Sequence, residues 1–509
     1  MASQVAEQTG VCPNGHVQDP GQLAVDVAGG GRELGLPGSA VRNHAYVVRG
    51  LGYVPESRLA TGRFGRMFRS IAPCIPDDKR IEEITKRMSE PSGEQLDGDT
   101  PAGYTYLGQF VDHDITFDPT SSLDRQNDPD ALTNFRTPRF DLDCVYGRGP
   151  ADQPYLYEKP AVTSPPHFAI GGDQHQKDLP RSRGIALIGD PRNDENVIIS
   201  QLHLTFMLFH NKVCDWLTAD GESEYRRHRR GTEEVFDCAQ RLVRWHYQWI
   251  VVHDFLPRFL ARETFEDILH SEPLAPRGPE AERIRLRFFS WQHQIFMPVE
   301  FAAAAYRFGH SVIRGRYALN GEIRKPLFKK DSTDHLGGFR PLPQGWQIEW
   351  DRFFPVPGGS GADVQKIRKI DRYLVKALEE MPPELAGGES ILARRNLLRG
   401  ARLGLPSGQD VAAAMGLTPL TDEQLDLPDQ GPAPLWYYVL REAELLGNGQ
   451  HLGPVGSRIV GEVFFGMLMA DPSSYFSNAP AWKPVLPGRT ATDFTMGDLI
   501  AFTGFGVTP

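Results

Sequence analysis

The chain has 509 residues, 40% hydrophobic and 24% charged, enough apolar material for a globular protein with a deep core. A formal net charge of −10 with no long Lys/Arg run argues against nucleic acid as a partner, because phosphate contacts need a basic face. Five cysteines (Cys12, Cys74, Cys144, Cys214, Cys238) without CxxC spacing suggest neither a disulfide framework nor a structural zinc site.

The N-terminus shows no charged segment followed by an apolar one. No signal peptide is therefore read, and the expectation is a cytoplasmic protein or one secreted by a leaderless route. Residues 1–60, with GGGRELGLPG at 29–38, read as an irregular arm, and 61–509 as one large domain. The stretch GYTYLGQFVDHDITFD (103–118) puts Gln109 four residues before His113, hence on one helical face. Asp112 and Asp114 flank that face, since consecutive helical residues diverge by about 100°. An exposed D-H-D turn and a His–Gln pair facing a cavity both account for this stretch. In TPRFDLDCVYG (137–147), Thr137, Asp141 and Asp143 offer closely spaced oxygen donors, with Asp114 as a remote carboxylate. Such a loop suits Ca²⁺, which takes about six to eight oxygens, and an Asx-type turn fits the same pattern.

GDPRNDENVIIS (189–200) offers Asp190 as a cap, Pro191 as a first helical position and Arg192 behind it. Residues 198–217 are apolar nearly all round and read as a buried helix. A second helix is expected over 233–256, ending before Pro257, and a third over 298–314, opening on Pro298 and Glu300 and carrying Gly309 and His310. Further helices are read at 364–381 and 388–402. Strand signals are short and scattered, so the fold class is mainly α with little β. No run of 18 apolar residues predicts a spanning helix, and no HExxH or P-loop is present.

Taken in order, GQFVDHDIT, the T-x-x-x-D-x-D-x-V-Y-G loop, Arg192 followed by Glu195, R-x-G-H-S at 307–311 and N-x-x-R-G at 396–400 resemble the animal haem peroxidases of the peroxidase–cyclooxygenase superfamily, in a bacterial-type form. The resemblance implies a large single-domain helical fold binding haem b and Ca²⁺. His113 matches the distal base, Arg192 the catalytic arginine, and Gln109 a glutamine lining the distal pocket. His310 matches the proximal ligand of the haem iron, and Asn396 the acceptor of its second N–H. Arg307 and Arg399 match arginines that meet propionates. Asp112 and Glu195 match two carboxylates that form ester links to haem. Asp114, Thr137, Asp141 and Asp143, with the Arg139 carbonyl, match the Ca²⁺ ligands. Two departures stand out. Ala401 replaces the second Arg of the family's R-G-R, with Arg402 adjacent as a candidate substitute. Asn196 stands where a sulfonium link needs Met, so that link is not expected. The implied activity is reduction of H₂O₂ through a ferryl intermediate, with oxidation of small organic donors or halides. The alternatives are a fatty-acid dioxygenase of the same superfamily and a non-catalytic haem- or Ca²⁺-binding structural protein. A dioxygenase needs Tyr three residues before the proximal His. Arg307 stands there, and Tyr306 is expected to turn away.

Overall fold

The structure, a computed structural model, describes residues 62–91, 97–116, 133–134, 136–158, 165–273, 280–292, 294–329, 332–360, 363–382, 389–427, 431–488 and 492–507. The expected arm at 1–60, and Cys12 with it, lie outside these residues. The architecture is mainly helical. Helix α1 (Gly103–Ile115) packs against α2 (Val197–Thr218). Their contact is built on Phe110 stacked over Phe206, ring centroids 4.4 Å apart. The side chain of Asn196 caps α2 by accepting from Ile199 N at 2.9 Å. Helix α2 buries residues on every side, as its apolar sequence requires.

Helix α3 (Val235–Ile250) starts at a capping box formed by Glu234 and Asp237. The sequence reading ends this helix before Pro257, but the chain continues helically to Phe259. A π turn at Val251–Phe255 intervenes. The wider turn makes room for a proline ring that would clash with the carbonyl four residues back in a regular helix. Asp254 holds the turn in place, accepting from Tyr104 Oη at 2.7 Å and Met496 N at 2.8 Å.

Helix α4 (Leu392–Arg402) forms within the expected 388–402 segment. Helices α5 (Leu435–Leu446) and α6 (Pro454–Ala470) pack together, and α7 (Met496–Thr503) closes over α2. Two helical readings are corrected. Segment 298–314 is not one helix: a short turn at Val299–Ala302 precedes a 3-10 helix at Ala305–His310. Segment 364–381 contains a strand and a short 3-10 turn at Lys376–Leu378 instead. Its first part pairs as β4 (Lys366–Arg368) with β1 (Asp97–Pro101), and the hairpin β2 (Arg316–Ala318)–β3 (Arg324–Pro326) lies between them in sequence. Ile367 sits in the paired strand and Ile370 just beyond it, both fully buried, so the apolar positions of that stretch pack as extended chain. Among the described residues no helix is long and apolar enough to cross a membrane, and the four cysteines present are all free.

Three histidines are built into this interior in neutral form. Burial pushes His203, His210 and His246 each down to about 3 from an ordinary 6.5. The unfolded chain therefore binds protons that the fold refuses between pH 6.5 and about 3, and stability falls as pH is lowered through that window. Buried carboxyls pushed up to about 7, such as Glu195, Asp371 and Glu442, act in the opposite sense over the same window, so the histidine contribution is read as a difference between variants. In His210→Phe the melting temperature should lose less between about pH 6.5 and 5 than in the parent protein, and equal slopes by calorimetry contradict a buried neutral imidazole there.

Candidate functional site

A cavity of about 300 Å³ opens between α1, the 192–196 segment, the 3-10 helix and α4. Gln109, Asp112, His113, Arg192, Glu195, Arg307, His310 and Arg399 all line it. Asn396 stands behind His310, 2.8 Å from its Nδ1. The sequence analysis thus names eight lining residues and one supporting residue that do come together.

On α1 the i, i+4 spacing turns Gln109 and His113 to the cavity, while Asp114 faces the other way. The Nδ1 of His113 lies 2.7 Å from Asn193 Oδ1. An amide oxygen only accepts, so the proton sits on Nδ1 and Nε2 is left bare. Asn193 Nδ2 in turn donates to His203 Nδ1 at 2.9 Å. Burial first, and the Arg192 charge second, push His113 down to about 4. A neutral imidazole with a bare nitrogen is a proton acceptor.

Arg192 is fixed by Asp190, which accepts from its backbone N at 2.9 Å, its Nε at 3.1 Å and its Nη2 at 2.8 Å. Its Nη2 also donates to the backbone oxygens of His113, at 3.0 Å, and Thr116 at the end of α1. Burial alone would raise Asp190. The guanidiniums of Arg192 and Arg136 outweigh it and hold the carboxyl well below the usual range. Glu195 accepts from Gln109 Nε2, and burial pushes it up to about 7.

Below α1 the backbone differs from expectation. In a 3-10 helix, residues three apart eclipse. Tyr306 therefore falls in line with Gly309, and Arg307 with His310. Tyr306 does not turn away: it lines the cavity and donates to Gly108 O at 3.1 Å. A Cβ added at Gly309 would meet nothing within 4 Å, so open space adjoins this backbone. Burial, then Arg307, Arg395 and Arg399, hold His310 well below its ordinary value, which leaves it neutral and able to ligate. Asn396 presents Nδ2 to His310, because Arg399 Nη1 takes its Oδ1 at 3.2 Å. Asn396 thus stands as donor, where an acceptor is expected.

Sequence reasoning missed Arg395, which lines the cavity four residues before Arg399 on the same face of α4. Arg402, the candidate substitute, is exposed and does not line it. Asn193 and His203 were missed too. The available signal was a histidine on an otherwise apolar buried helix. The set fits the implied haem: a ligating imidazole, open space beside Gly309 and three arginines for a dicarboxylate.

Asp114, Asp141 and Asp143 form a second, buried cluster, with carboxylate oxygens within 4.8 Å of one another. Thr137 Oγ1 donates to Asp141 Oδ2 at 2.9 Å, and Leu142 N to Asp114 Oδ2 at 3.2 Å. Leu142 takes a left-handed conformation (φ 56°), a strained turn of the sort found at binding loops. The Arg139 side chain reaches Asp141 at 3.5 Å and Asp471 at 3.9 Å. Burial pushes Asp114 well up and, despite Arg136, Asp143 up to about 7. Asp114 Oδ1 is buried with no hydrogen-bond partner. An oxygen-seeking cation fits this donor set.

A sequence model described as animal haem peroxidase matches residues 126–429. Heme peroxidase 2 of Caenorhabditis elegans is 25% identical over 319 residues, 57% of this chain and 40% of that protein. The chorion peroxidase of Aedes aegypti is 24% identical over 307 residues, 58% of this chain and 36% of that one. The chain thus spans less than half the length of these curated relatives. Among solved structures, peroxidase A from Dictyostelium discoideum shares the fold at a TM-score of 0.61 and 16% identity, covering 90% of this chain and 97% of its own. Fatty acid alpha-dioxygenase from Oryza sativa does so at 0.51 and 13%, covering 82% and 77%.

Arg136 bridges the two clusters, with Nη1 3.0 Å from Asp143 Oδ1 and Nη2 on Asp190. Replacing it with Met leaves two buried carboxylates short of a partner and should cost about 3–5 kcal/mol by urea denaturation. A loss below about 1 kcal/mol, the scale of an exposed pair, contradicts the bridge.

Proposed function

The chain belongs to the animal haem peroxidase family, and from that premise we propose that it reduces H₂O₂ at a haem b held by His310 and passes the oxidising equivalents to a small organic donor or a halide. The observation that carries the proposal is a pair of neutral histidines facing one cavity, His113 buried and His310 half-buried, with an arginine beside His113 and three beside His310. His113 lies ahead of the span matched by the family model, so its role rests on this geometry.

Haem, when bound, supplies the iron and the electron store. As a ligand through Nε2, His310 carries its proton on Nδ1 and needs an acceptor there. The Asn396 amide would provide one by turning Oδ1 to the ring, giving up its bond from Arg399 Nη1. Arg307, Arg395 and Arg399 answer the propionates. His113 Nε2 takes a proton from H₂O₂ and returns it to the outer oxygen, so that water leaves. Its Nδ1–H stays on Asn193 throughout. The Arg192 guanidinium, already fixed by Asp190, stabilises the negative charge that develops on the departing oxygen. Asp112 and Glu195 are the candidates for ester links. Ca²⁺ is the proposed occupant of the Asp114–Asp141–Asp143 cluster, with Thr137 and Arg139 in the same loop.

One observation favours the dioxygenase reading: Tyr306, the residue a radical relay would use, does reach the cavity. Oxygen consumption with linoleate, in the presence of a trace of peroxide, separates the two.

In the haem-loaded enzyme, His113→Ala should slow the reaction with H₂O₂ by about 10²–10⁴-fold in stopped-flow measurements, with haem occupancy unchanged. An unaltered rate removes His113 from the role of base. EGTA should lower the melting temperature and added Ca²⁺ restore it; in Asp141→Asn both effects should shrink. Indifference to EGTA and Ca²⁺ in the parent protein refutes the cation assignment.

A further inference from the structure

A second cavity, of about 390 Å³, lies outside the site described. Its walls carry Arg314, Arg316, Arg324, Arg368 and Lys376, against only Glu90 and Asp97. Five cations against two carboxylates leave three positive charges in excess, on a chain whose formal net charge is −10. Both carboxylates are already engaged: Asp97 Oδ1 lies 2.7 Å from Arg314 Nη1, and Glu90 pairs with Arg368 Nη1. Among the described residues, Arg316, Arg324 and Lys376 have no ion pair.

The placement of the two rim arginines follows from strand register. Arg316 and Ala318 share one face of the hairpin, and Ala318 is paired with Arg324. The intervening Tyr317 is fully buried, so both arginines occupy the outer face. An independent observation lies at the floor. Arg368 is only 7% exposed, yet its Nε and Nη2 are buried with no hydrogen-bond partner. Two unsatisfied donors on one buried guanidinium that lines the cavity leave a place for an acceptor. This cavity also shares its wall with the first. Val312 and Ile313 line the candidate haem cavity while Arg314 and Gly315 line this one, and Leu378 and Lys376 divide in the same way.

We propose that this basic cavity binds a small organic dianion, held through its carboxylate or phosphate oxygens by the guanidinium forks of Arg316, Arg324 and Arg368, and that it docks anionic electron donors one residue layer from the haem cavity. Guanidinium geometry matches both kinds of oxyanion. The docking role rests on the peroxidase reading. In that reaction H₂O₂ takes up two electrons and two protons to give two water molecules, and two donor molecules each give up one electron.

The test compares the haem-loaded wild type with R316E/R324E, whose changes lie on an exposed hairpin face. Calorimetric titration with phthalate, which is not oxidised, should show binding at low salt, weakened about tenfold or more in the variant. Titration with inorganic phosphate tells whether an isolated phosphate suffices. In turnover with H₂O₂, KM for 3,4-dihydroxybenzoate should rise about tenfold in the variant with kcat unchanged, while catechol, the same ring without the carboxylate, is unaffected. Absence of phthalate binding to the wild type overturns the site, as does binding of inorganic phosphate alone. Equal effects on both donors, or none on either, overturn the docking role. If no donor is oxidised by any form while phthalate still binds and the variant loses it, the site stands and the peroxidase reading fails.

Discussion

The buried charge chain Asp143–Arg136–Asp190–Arg192 is the constraint on which the site depends. It runs from the carboxylate cluster to the backbone oxygens that end α1, next to His113. Charges taken out of water are costly unless matched, and here Arg136 is shared between Asp143 and Asp190 while Arg192 meets Asp190 and two backbone oxygens. Asp190, with two arginines, stays ionised. Asp143, with one arginine and two neighbouring acids, drifts up toward neutrality. The chain is thus balanced at the Arg192 end and short of positive charge at the other. A cation among the three aspartates would complete it and, through Arg136, stiffen the guanidinium that faces the cavity.

The two histidines are kept neutral by different arrangements that reach one result. Burial dominates for both. His113 adds Arg192, and its bond to Asn193, which pulls weakly the other way, fixes the tautomer. His310 adds three arginines, whose charge opposes its protonation and also suits a dicarboxylate. The same residues therefore serve ligand binding and ligand basicity. Ala401 stands where the resembled motif carries its second Arg, and Arg395, one helical turn before Arg399, brings a further positive charge to the same cavity.

Much of this was legible from residue order. Gln109, Asp112 and His113, the 192–195 pair and the proximal segment each line the cavity, as their resemblance to the family's motifs implied; helical spacing by itself paired only Gln109 with His113. Helix α2 was readable from apolar continuity alone. What escaped was decided by tertiary contacts. Segment 364–381 carries a helix-like pattern, but β1 offers it a strand partner. Pro257 signals a helix end, yet Asp254 stabilises a π turn that carries the helix past it. His203 looks like an ordinary core histidine in sequence. Only its 2.9 Å contact with Asn193 ties it to His113.

The 3-10 geometry at Ala305–His310 bears on the choice between the two enzymatic readings. It brings Tyr306 into the cavity, where a dioxygenase would want a radical-forming phenol. Burial, however, holds that phenol well above its ordinary value, with Asp112 adding to the effect. Its proton is committed to Gly108 O, a backbone carbonyl on α1. A tyrosine that gives up an electron must also release its proton, and a peptide carbonyl is too weak a base to keep it. Tyr306 is therefore better suited to tying the segment that carries His310 to the helix that carries His113. A phenol locked in that bond favours an oxidant delivered to outside donors over one relayed through the protein to a bound lipid.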